Sequence, residues 1–346
     1  MHKFTRNILS AAIALSVIAS VHAEDKVLNV YSARHYQTDD ALYGDFTKKT
    51  GIKINRIEAD DNALLERLKT EGKNSPADII LMVDAARLWR AQIEGLFQPV
   101  KSKVLAARIP EYLQGNDNGQ GPQWYGFSTR ARVIVYNKAT VKPEDVATYE
   151  ALAAPKNKGK VCTRSGSHPY MLSLIGSLVE RDGEKATEEW ARGMVSNFAR
   201  PPRGGDTDQI HGVASGECGV ALTNSYYYVR MRRSTKQEDR QAISKIGFIW
   251  PNQKTSGTHI NVAGGGVAAN ARHPKAAVQF LEYLASDSAQ RNFSDGNNEW
   301  PAVPTVTTHN AALESLGKFT SEKLSIATIG KNQIVAQKIL DRAGYK

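Results

Sequence analysis

Five tyrosines stand where segments typical of strands or turns come to an end. Tyr36 follows a β-rich segment, Tyr226–Tyr228 follow another, and Tyr170 comes just after the loop 163–168. Ligands of open α/β sheets collect beyond the carboxyl ends of the strands. A free phenol, with a pKa of about 10, is a poor acid, base or nucleophile at neutral pH. A highly charged cation removes its proton and gains a hard anionic oxygen ligand. The tyrosines therefore suggest a cation site, although on composition alone amphipathic packing of Tyr226–Tyr228 is the simpler interpretation.

Charge and geometry set conditions for such a site. Three phenolates would neutralise a trivalent ion, and a fourth would favour a nearby cation such as Arg130. Consecutive side chains on a strand point to opposite faces, so Tyr226 and Tyr227 can reach one ion only if the strand has ended. Asn224 and Ser225, which are favoured helix N-cap types, lie where that break is needed.

The segments that must position these side chains alternate between strand and helix patterns, which favours βαβ units and a mostly parallel sheet. Strands are predicted at 27–31, 52–57, 79–83, 133–136 and 220–223, and helices at 39–49, 62–70, 171–181 and 276–285. No repeat, low-complexity tract or flexible linker separates the two sets of elements. We therefore predict two α/β lobes joined by crossing strands, within 127–135 and 246–262.

The N-terminus has the pattern of an export signal. Lys3 and Arg6 precede an apolar run at 8–21, and the small residues of 21–23 offer a cleavage site. The alternative, a membrane anchor, would need about 20 apolar residues. We predict that residues 1–23 are a signal peptide and that the mature protein is exported.

Composition and motif spacing exclude several classes of function. The net charge is +10 over 346 residues, but the basic residues are dispersed, so nucleic-acid binding is not predicted. The histidines lack the spacing of a zinc site, and no nucleophile elbow is present. The two cysteines, Cys162 and Cys218, lie at or before predicted strands of the second lobe. Exported thiols usually oxidise, so we predict a disulfide between them, with a pair of buried free thiols as the alternative.

Seven motifs along the chain support a family resemblance. From Val27 to Lys346 the sequence resembles the periplasmic ferric-ion-binding proteins of ABC importers, particularly their tyrosine-rich branch. The motifs are VYSARHY at 30–36, SPADI at 75–79 with VD at 83–84, STRARVIVY at 128–136, TRSGS at 163–167, GECG at 216–219, NSYY at 224–227 and HPKAAVQF at 273–280.

The resemblance implies a type II periplasmic binding protein fold. Its two lobes, each a mostly parallel sheet flanked by helices, would enclose a ligand cleft. We assign 24–128 plus 252–300 to the N-terminal lobe and 129–251 plus 301–346 to the C-terminal lobe. The implied function is capture of Fe(III) in the periplasm and delivery to an inner-membrane ABC permease with its ATPase. A monomer that is not an enzyme is expected.

Position by position, the resemblance implies that Tyr36, Tyr170, Tyr226 and Tyr227 bind the iron. His35 matches a histidine that is a ligand in some members and lies behind the ligands or exposed in others.

Three further positions are implied to lie beside the metal. Asp84 stands where another branch has a glutamate ligand, but its shorter side chain favours capping or hydrogen bonding. Arg130 matches an arginine that holds a synergistic anion such as carbonate, with a surface ion pair as the alternative. Asn224 belongs to the NSYY motif next to the paired tyrosines.

Two alternatives stay open. The first is an exported enzyme, metal-dependent or using a tyrosine nucleophile, which would need a base beside a phenol or an open coordination position. His35 beside Tyr36 is the only candidate pair for it. The second is a binding protein of the same fold for a small organic ligand, which would need carboxylates and aromatic residues where this chain has tyrosines.

Overall fold

The computed structural model describes residues 26–34 and 36–346. The predicted signal peptide, 1–23, and His35 lie outside the described residues. Nine strands are found in the described part of the chain: β1 Val27–Ser32, β2 Lys53–Glu58, β3 Ile79–Met82, β4 Tyr125–Asn137, β5 Val161–Cys162, β6 Val220–Asn224, β7 Ile246–Ile249, β8 Ile260–Val267 and β9 Trp300–Pro301.

Helices separate most of these strands. They are α1 Asp39–Thr50, α2 Asp61–Glu71, α3 Ala85–Ile93, α4 Lys103–Arg108, α5 Tyr149–Leu152, α6 Pro169–Ser196, α7 Asp206–Ser215, α8 Ser225–Arg232, α9 Gln237–Lys245, α10 Pro274–Leu284, α11 Asp287–Asn297, α12 Ala311–Glu314, α13 Ile326–Lys331 and α14 Gln333–Ala343. The long α6 is interrupted at Gly183, whose φ of 83° is left-handed, so the predicted helix 171–181 is its first half. None of the helices described has both the length and the apolar composition needed to cross a bilayer.

The strands follow the order β2-β1-β3-β8-β4-β6-β5, with β7 and β9 also paired to β4. The pairs β1–β2, β1–β3 and β5–β6 are parallel, as the alternating pattern predicts. The pairs that involve β4 or β8 are antiparallel. Each lobe is therefore mixed rather than mostly parallel, because the strands that cross between lobes enter each sheet against the direction of its βαβ strands.

Strand β4 belongs to both lobes. Its first half, up to Ala131, pairs with β8, and its second half, from Arg132, pairs with β6 and β7. The chain returns to the first lobe between β7 and β8. Both crossings lie within the segments 127–135 and 246–262 predicted from the sequence.

The apolar cores are separate. One cluster contains Phe46, Leu65 and Phe280, and another contains Met171, Trp190 and Leu222. Segments 302–306 and 326–329 pack in the first cluster, whereas 336–345 pack in the second. The C-terminal tail therefore contributes to both cores, and the lobe boundaries assigned above stay a prediction.

Three consecutive glycines in β8 allow close backbone packing. A Cβ at Gly264 would collide with the carbonyl oxygen of Tyr125, and one at Gly265 with that of Ile80. The triplet is thus a packing feature of a strand held between two neighbours, and no helix follows it directly to form a phosphate cradle.

A disulfide joins Cys162, at the end of β5, to Cys218, just before β6. Both residues are buried. The cross-link ties the two parallel strands of the second lobe, from which the segments carrying Tyr170 and Tyr226 continue.

Candidate functional site

The four candidate tyrosines come from three segments that end strands or begin helices. Tyr36 lies between β1 and α1, and Tyr170 is the second residue of α6. Strand β6 ends at Asn224 and α8 begins at Ser225, so Tyr226 and Tyr227 lie in the first turn of a helix. The strand therefore ends before the paired tyrosines, which is the condition for both of them to reach one ion.

These side chains converge. The Tyr170 and Tyr226 hydroxyl oxygens are 3.1 Å apart, and the rings of Tyr226 and Tyr227 stack with centroids 4.3 Å apart. Tyr36 and Tyr227 interact electrostatically, which places all four phenols in one group.

Burial dominates the protonation of the phenols. It raises the pKa of Tyr226 well above the ordinary value, and the neighbouring Tyr170 raises it further. Burial also raises the pKa of Tyr170 and of Tyr36, while Arg130 lowers both to a smaller extent. Each of these phenols therefore holds its proton at neutral pH unless a strong Lewis acid displaces it.

Arg130 lies beside the phenols in the interior. It is only 2% exposed, which excludes a surface ion pair, and its guanidinium carbon lies 6.0 Å from the Tyr170 ring centre. Its Nε and Nη1 have no hydrogen-bond partner among the described residues. Burying the donors of a charged group without hydrogen bonds costs free energy. These two donors therefore favour the binding of an anion or a phenolate next to them.

A buried carboxylate that sequence reasoning missed faces Arg130. Glu299 Oε1 lies 3.7 Å from Arg130 Nη1, while its Oε2 accepts hydrogen bonds from Ser128 and Arg34. Arg34 also pairs with Asp39 at 2.9 Å and lies over the ring of Tyr36. The charges of these arginines are thus balanced within the protein.

Asp84 is the N-cap of α3 and is fully buried. Its carboxylate accepts hydrogen bonds from the N–H of Ala86 at 2.8 Å, from Asn261 at 2.7 Å and from the Ser173 hydroxyl at 3.0 Å. Ser173 lies on α6 of the other lobe, so this bond crosses between lobes. The capping and hydrogen bonding expected at Asp84 are both present, and they use its oxygens.

Asn224 occupies the N-cap position of α8 without a side-chain cap. Its Oδ1 instead accepts a hydrogen bond from Arg132 at 3.1 Å, and its backbone N–H donates to Asp206 at 2.6 Å. Asp206 also pairs with Arg164, which lies over the ring of Tyr170. No local pattern in the sequence marks Asp206, and Arg132 appears only within the STRARVIVY motif, without a role assigned to it.

His168 caps the helix that carries Tyr170. Its Nδ1 accepts the N–H of Tyr170 at 3.2 Å, and its ring packs edge-on against the Tyr170 ring. Burial, together with the charge of Arg164, lowers the pKa of His168 to about 3, so this imidazole is neutral.

The side chains that could bind a metal at this site favour one class of ion. Among the described residues, no three His, Cys, Asp or Glu side chains are grouped as a metal site would require. The available ligands are phenol oxygens, which as phenolates are hard anionic donors. Four of them next to a buried guanidinium fit a small, highly charged, hard cation better than a soft or divalent one.

Comparison with known proteins identifies a family of bacterial binding proteins and relatives named for iron uptake. The model of the family described as bacterial extracellular solute-binding proteins matches residues 41–320. Iron uptake protein A1 of Synechocystis is 47% identical over 95% of this chain and 90% of its own length.

Solved structures agree in fold. A Trichodesmium protein described as IdiA or FutA in complex with iron and citrate is 49% identical, with a TM-score of 0.88 over 92% of this chain and 100% of that one. The ferric binding protein from Campylobacter jejuni is 36% identical, with a TM-score of 0.86 and the same coverage. The protein therefore has the two-lobed type II binding protein fold. The chain belongs to the bacterial extracellular solute-binding proteins and, within them, to the family of the iron uptake and ferric-binding proteins.

Proposed function

We propose that this protein captures Fe(III) in the periplasm through the phenolates of Tyr36, Tyr170, Tyr226 and Tyr227. The observation that carries the proposal is the convergence of these four phenols, with Tyr226 buried and the other three partly buried, and with two of the hydroxyl oxygens 3.1 Å apart. Phenols placed only for packing have no reason to share a polar pocket from three separate chain segments. The names of the relatives, iron uptake and ferric-binding proteins, point to the same cargo.

Capture exchanges protons for the ion. A ferric ion displaces the proton of each phenol it binds, and three phenolates balance its charge. The fourth leaves an excess negative charge, which the buried guanidinium of Arg130, although paired with Glu299, stabilises by its proximity. His35, for which no described geometry exists, stays a further candidate ligand from the sequence.

A synergistic anion has a natural place at Arg130. The Nε and Nη1 of that side chain make no hydrogen bond to a described residue and lie on different edges of the guanidinium, so either can donate a hydrogen bond to carbonate or a carboxylate. Asp84 and Asn224 make other hydrogen bonds, so they support the site from behind rather than hold the anion.

Delivery follows from the family. Binding proteins of ABC importers pass their cargo to a permease driven by an ATPase, and we propose the same partners in the inner membrane for this chain. The signal peptide predicted at 1–23 supplies the export that this role needs. We propose binding and delivery rather than a reaction, because the relatives are named as iron uptake and ferric-binding proteins.

The proposal is tested by titrating the purified mature protein with ferric citrate while recording its visible spectrum, with and without bicarbonate. A phenolate-to-iron charge-transfer band that saturates near one ion per chain is expected. The variants Tyr226→Phe and Tyr227→Phe should lose or shift the band. Tyr228→Phe is the matched control, since Tyr228 lies on the same helix but packs against Phe248.

The outcomes separate the alternatives. Absence of a band at any iron concentration would reject the ferric function and favour an organic ligand of the same fold. The buffer is otherwise free of carbonate. A band that is the same with and without added bicarbonate would reject carbonate as the anion at Arg130 but keep the iron site.

A further inference from the structure

One buried carboxylate contacts both chain segments that bring Tyr170 and Tyr226 together. Asp206, the first residue of α7, is fully buried. Its Oδ2 accepts hydrogen bonds from Arg132 Nη1 and from the backbone N–H of Asn224, each at 2.6 Å. Its Oδ1 accepts from Arg164 Nη1 at 3.2 Å.

The first contact fixes the paired tyrosines. Asn224 is the last residue of β6, and Tyr226 lies two residues further on, in the first turn of α8. The N–H of Asn224 therefore anchors the point where the strand turns into the helix. Arg132, held by the same oxygen, also donates to the side chain of Asn224 and supports that turn a second time.

The second contact fixes Tyr170. The Arg164 guanidinium carbon lies 5.0 Å from the centre of the Tyr170 ring, so the arginine packs over its face. The Tyr170 and Tyr226 hydroxyls are 3.1 Å apart at the end of these two arms. Asp206 thus links the two phenols: its Oδ2 holds the turn before Tyr226, and its Oδ1 holds the arginine that packs on Tyr170.

Charge makes this connection strong. Arg132 is buried, and its side chain has Asp206 as its acidic partner. Loss of the carboxylate charge would leave Arg132 buried without compensation. It would also free Arg164 to approach the Tyr170 oxygen, where a cation competes with a metal ion for the phenolate.

We infer that Asp206 is a positioning residue for the iron site, which sets the separation of Tyr170 and Tyr226 and holds Arg164 over the ring of Tyr170 rather than at its oxygen. The inference rests on the proposed iron binding, because only a bound metal makes that separation measurable. Asp206 itself does not touch the metal.

The test compares Asp206→Asn with Asp78→Asn in the mature protein. Asp78 is a matched control in the first lobe: it is also fully buried, and it accepts hydrogen bonds from the backbone N–H groups of Asn29, Arg272 and His273. Each variant is loaded with iron, and the position of its charge-transfer band and its rate of iron loss to excess EDTA are measured. Thermal unfolding and circular dichroism establish that each is folded.

We expect Asp206→Asn to shift the band and to release iron about 10–100-fold faster, the usual effect of removing a group that orients a ligand. Asp78→Asn should change only the unfolding temperature. Equal band positions and release rates in both variants would overturn the inference while the wild-type band upholds iron binding. A wild-type protein without a band would reject iron binding itself, and the inference with it.

A second variant keeps the test decisive if Asp206→Asn does not fold. Arg164→Gln breaks only the arm to Tyr170 and leaves the pairing with Arg132 intact. Faster iron release from this variant supports the inference. An unchanged release rate would overturn it.

Discussion

The phenols of the candidate site are neutral in the metal-free protein. Burial raises the pKa of Tyr36, Tyr170 and Tyr226 above its ordinary value, against the opposing effect of Arg130. A buried phenolate without a metal would face its neighbouring phenols and the carboxylate of Glu299 at low dielectric. Protonation therefore avoids an uncompensated buried charge in the metal-free protein, and the proposed iron binding requires the same protons to leave.

This protonation makes iron binding depend on pH. Because the raised pKa values keep the phenols protonated across the neutral range, iron affinity should rise steadily with pH and fall as the solution becomes acidic. Binding should release up to one proton per phenol. Titration of the unbuffered protein with ferric nitrilotriacetate in a pH-stat, corrected for a blank without protein, measures that release. No proton release above the blank would contradict phenolate ligation.

The raised pKa values of the phenols also determine how the stability of the folded protein changes with pH. The folded protein binds these protons more tightly than the unfolded chain, so this contribution to stability is complete below the unfolded pKa of about 10. It is lost as pH rises further towards the higher pKa values of the folded protein. Acid therefore weakens iron binding without weakening the fold through these groups.

At the scale of elements, strand ends decide which side chains meet. The apolar segment before Asp84 is a local pattern, and so is the change from an apolar strand to helix N-cap residues at Asn224. The second pattern was enough to predict that Tyr226 and Tyr227 follow the end of a strand. Asp206 and Glu299 were not predictable in this way. Asp206 is 74 residues from Arg132, and Glu299 is 171 residues from Ser128. Their partners are defined only by how the strands cross between lobes.

Strand β8 should tolerate no added side-chain volume in its glycine triplet. Gly265→Ala places a Cβ against the carbonyl oxygen of Ile80, and such overpacking costs about 1–3 kcal/mol. Gly44→Ala is the control, because Gly44 lies in α1 with open space around it, where alanine is favoured by about 1 kcal/mol. Urea unfolding of both variants measures the free energy of unfolding. A Gly265→Ala protein as stable as wild type would show that β8 packs less closely.

Across the whole molecule, polar contacts join the lobes around the site. The Ser173 hydroxyl donates to Asp84, and Arg233 donates to the side chain of Asn298 at 2.6 Å and to the backbone oxygen of Asp295 at 2.8 Å. These bonds lie on elements of different lobes, whereas the crossing strands are continuous chain. They therefore stabilise one relative orientation of the lobes without fixing it covalently.

Removing one of these bonds should favour separation of the lobes. Ser173→Ala leaves the Asp84 carboxylate with one partner fewer, and a typical hydrogen bond to a charged group contributes about 1.5–3 kcal/mol. We expect a larger radius of gyration for the iron-free variant by small-angle X-ray scattering. Ser196→Ala, at the exposed end of the same helix, is the control. Identical scattering from the two variants would mean that the Asp84–Ser173 bond does not influence lobe closure.

The position of β8 between β3 and β4 also has a consequence for the nascent chain. All four strands of the second lobe's sheet have been made once Ile249 is synthesised, but β3 keeps an open edge until Val267 follows. That edge is the apolar segment Ile79–Met82, and an open apolar strand edge invites pairing with other chains. Folding from the N-terminus alone would expose it for the time needed to make about half of the protein. The first sheet is begun first and completed last.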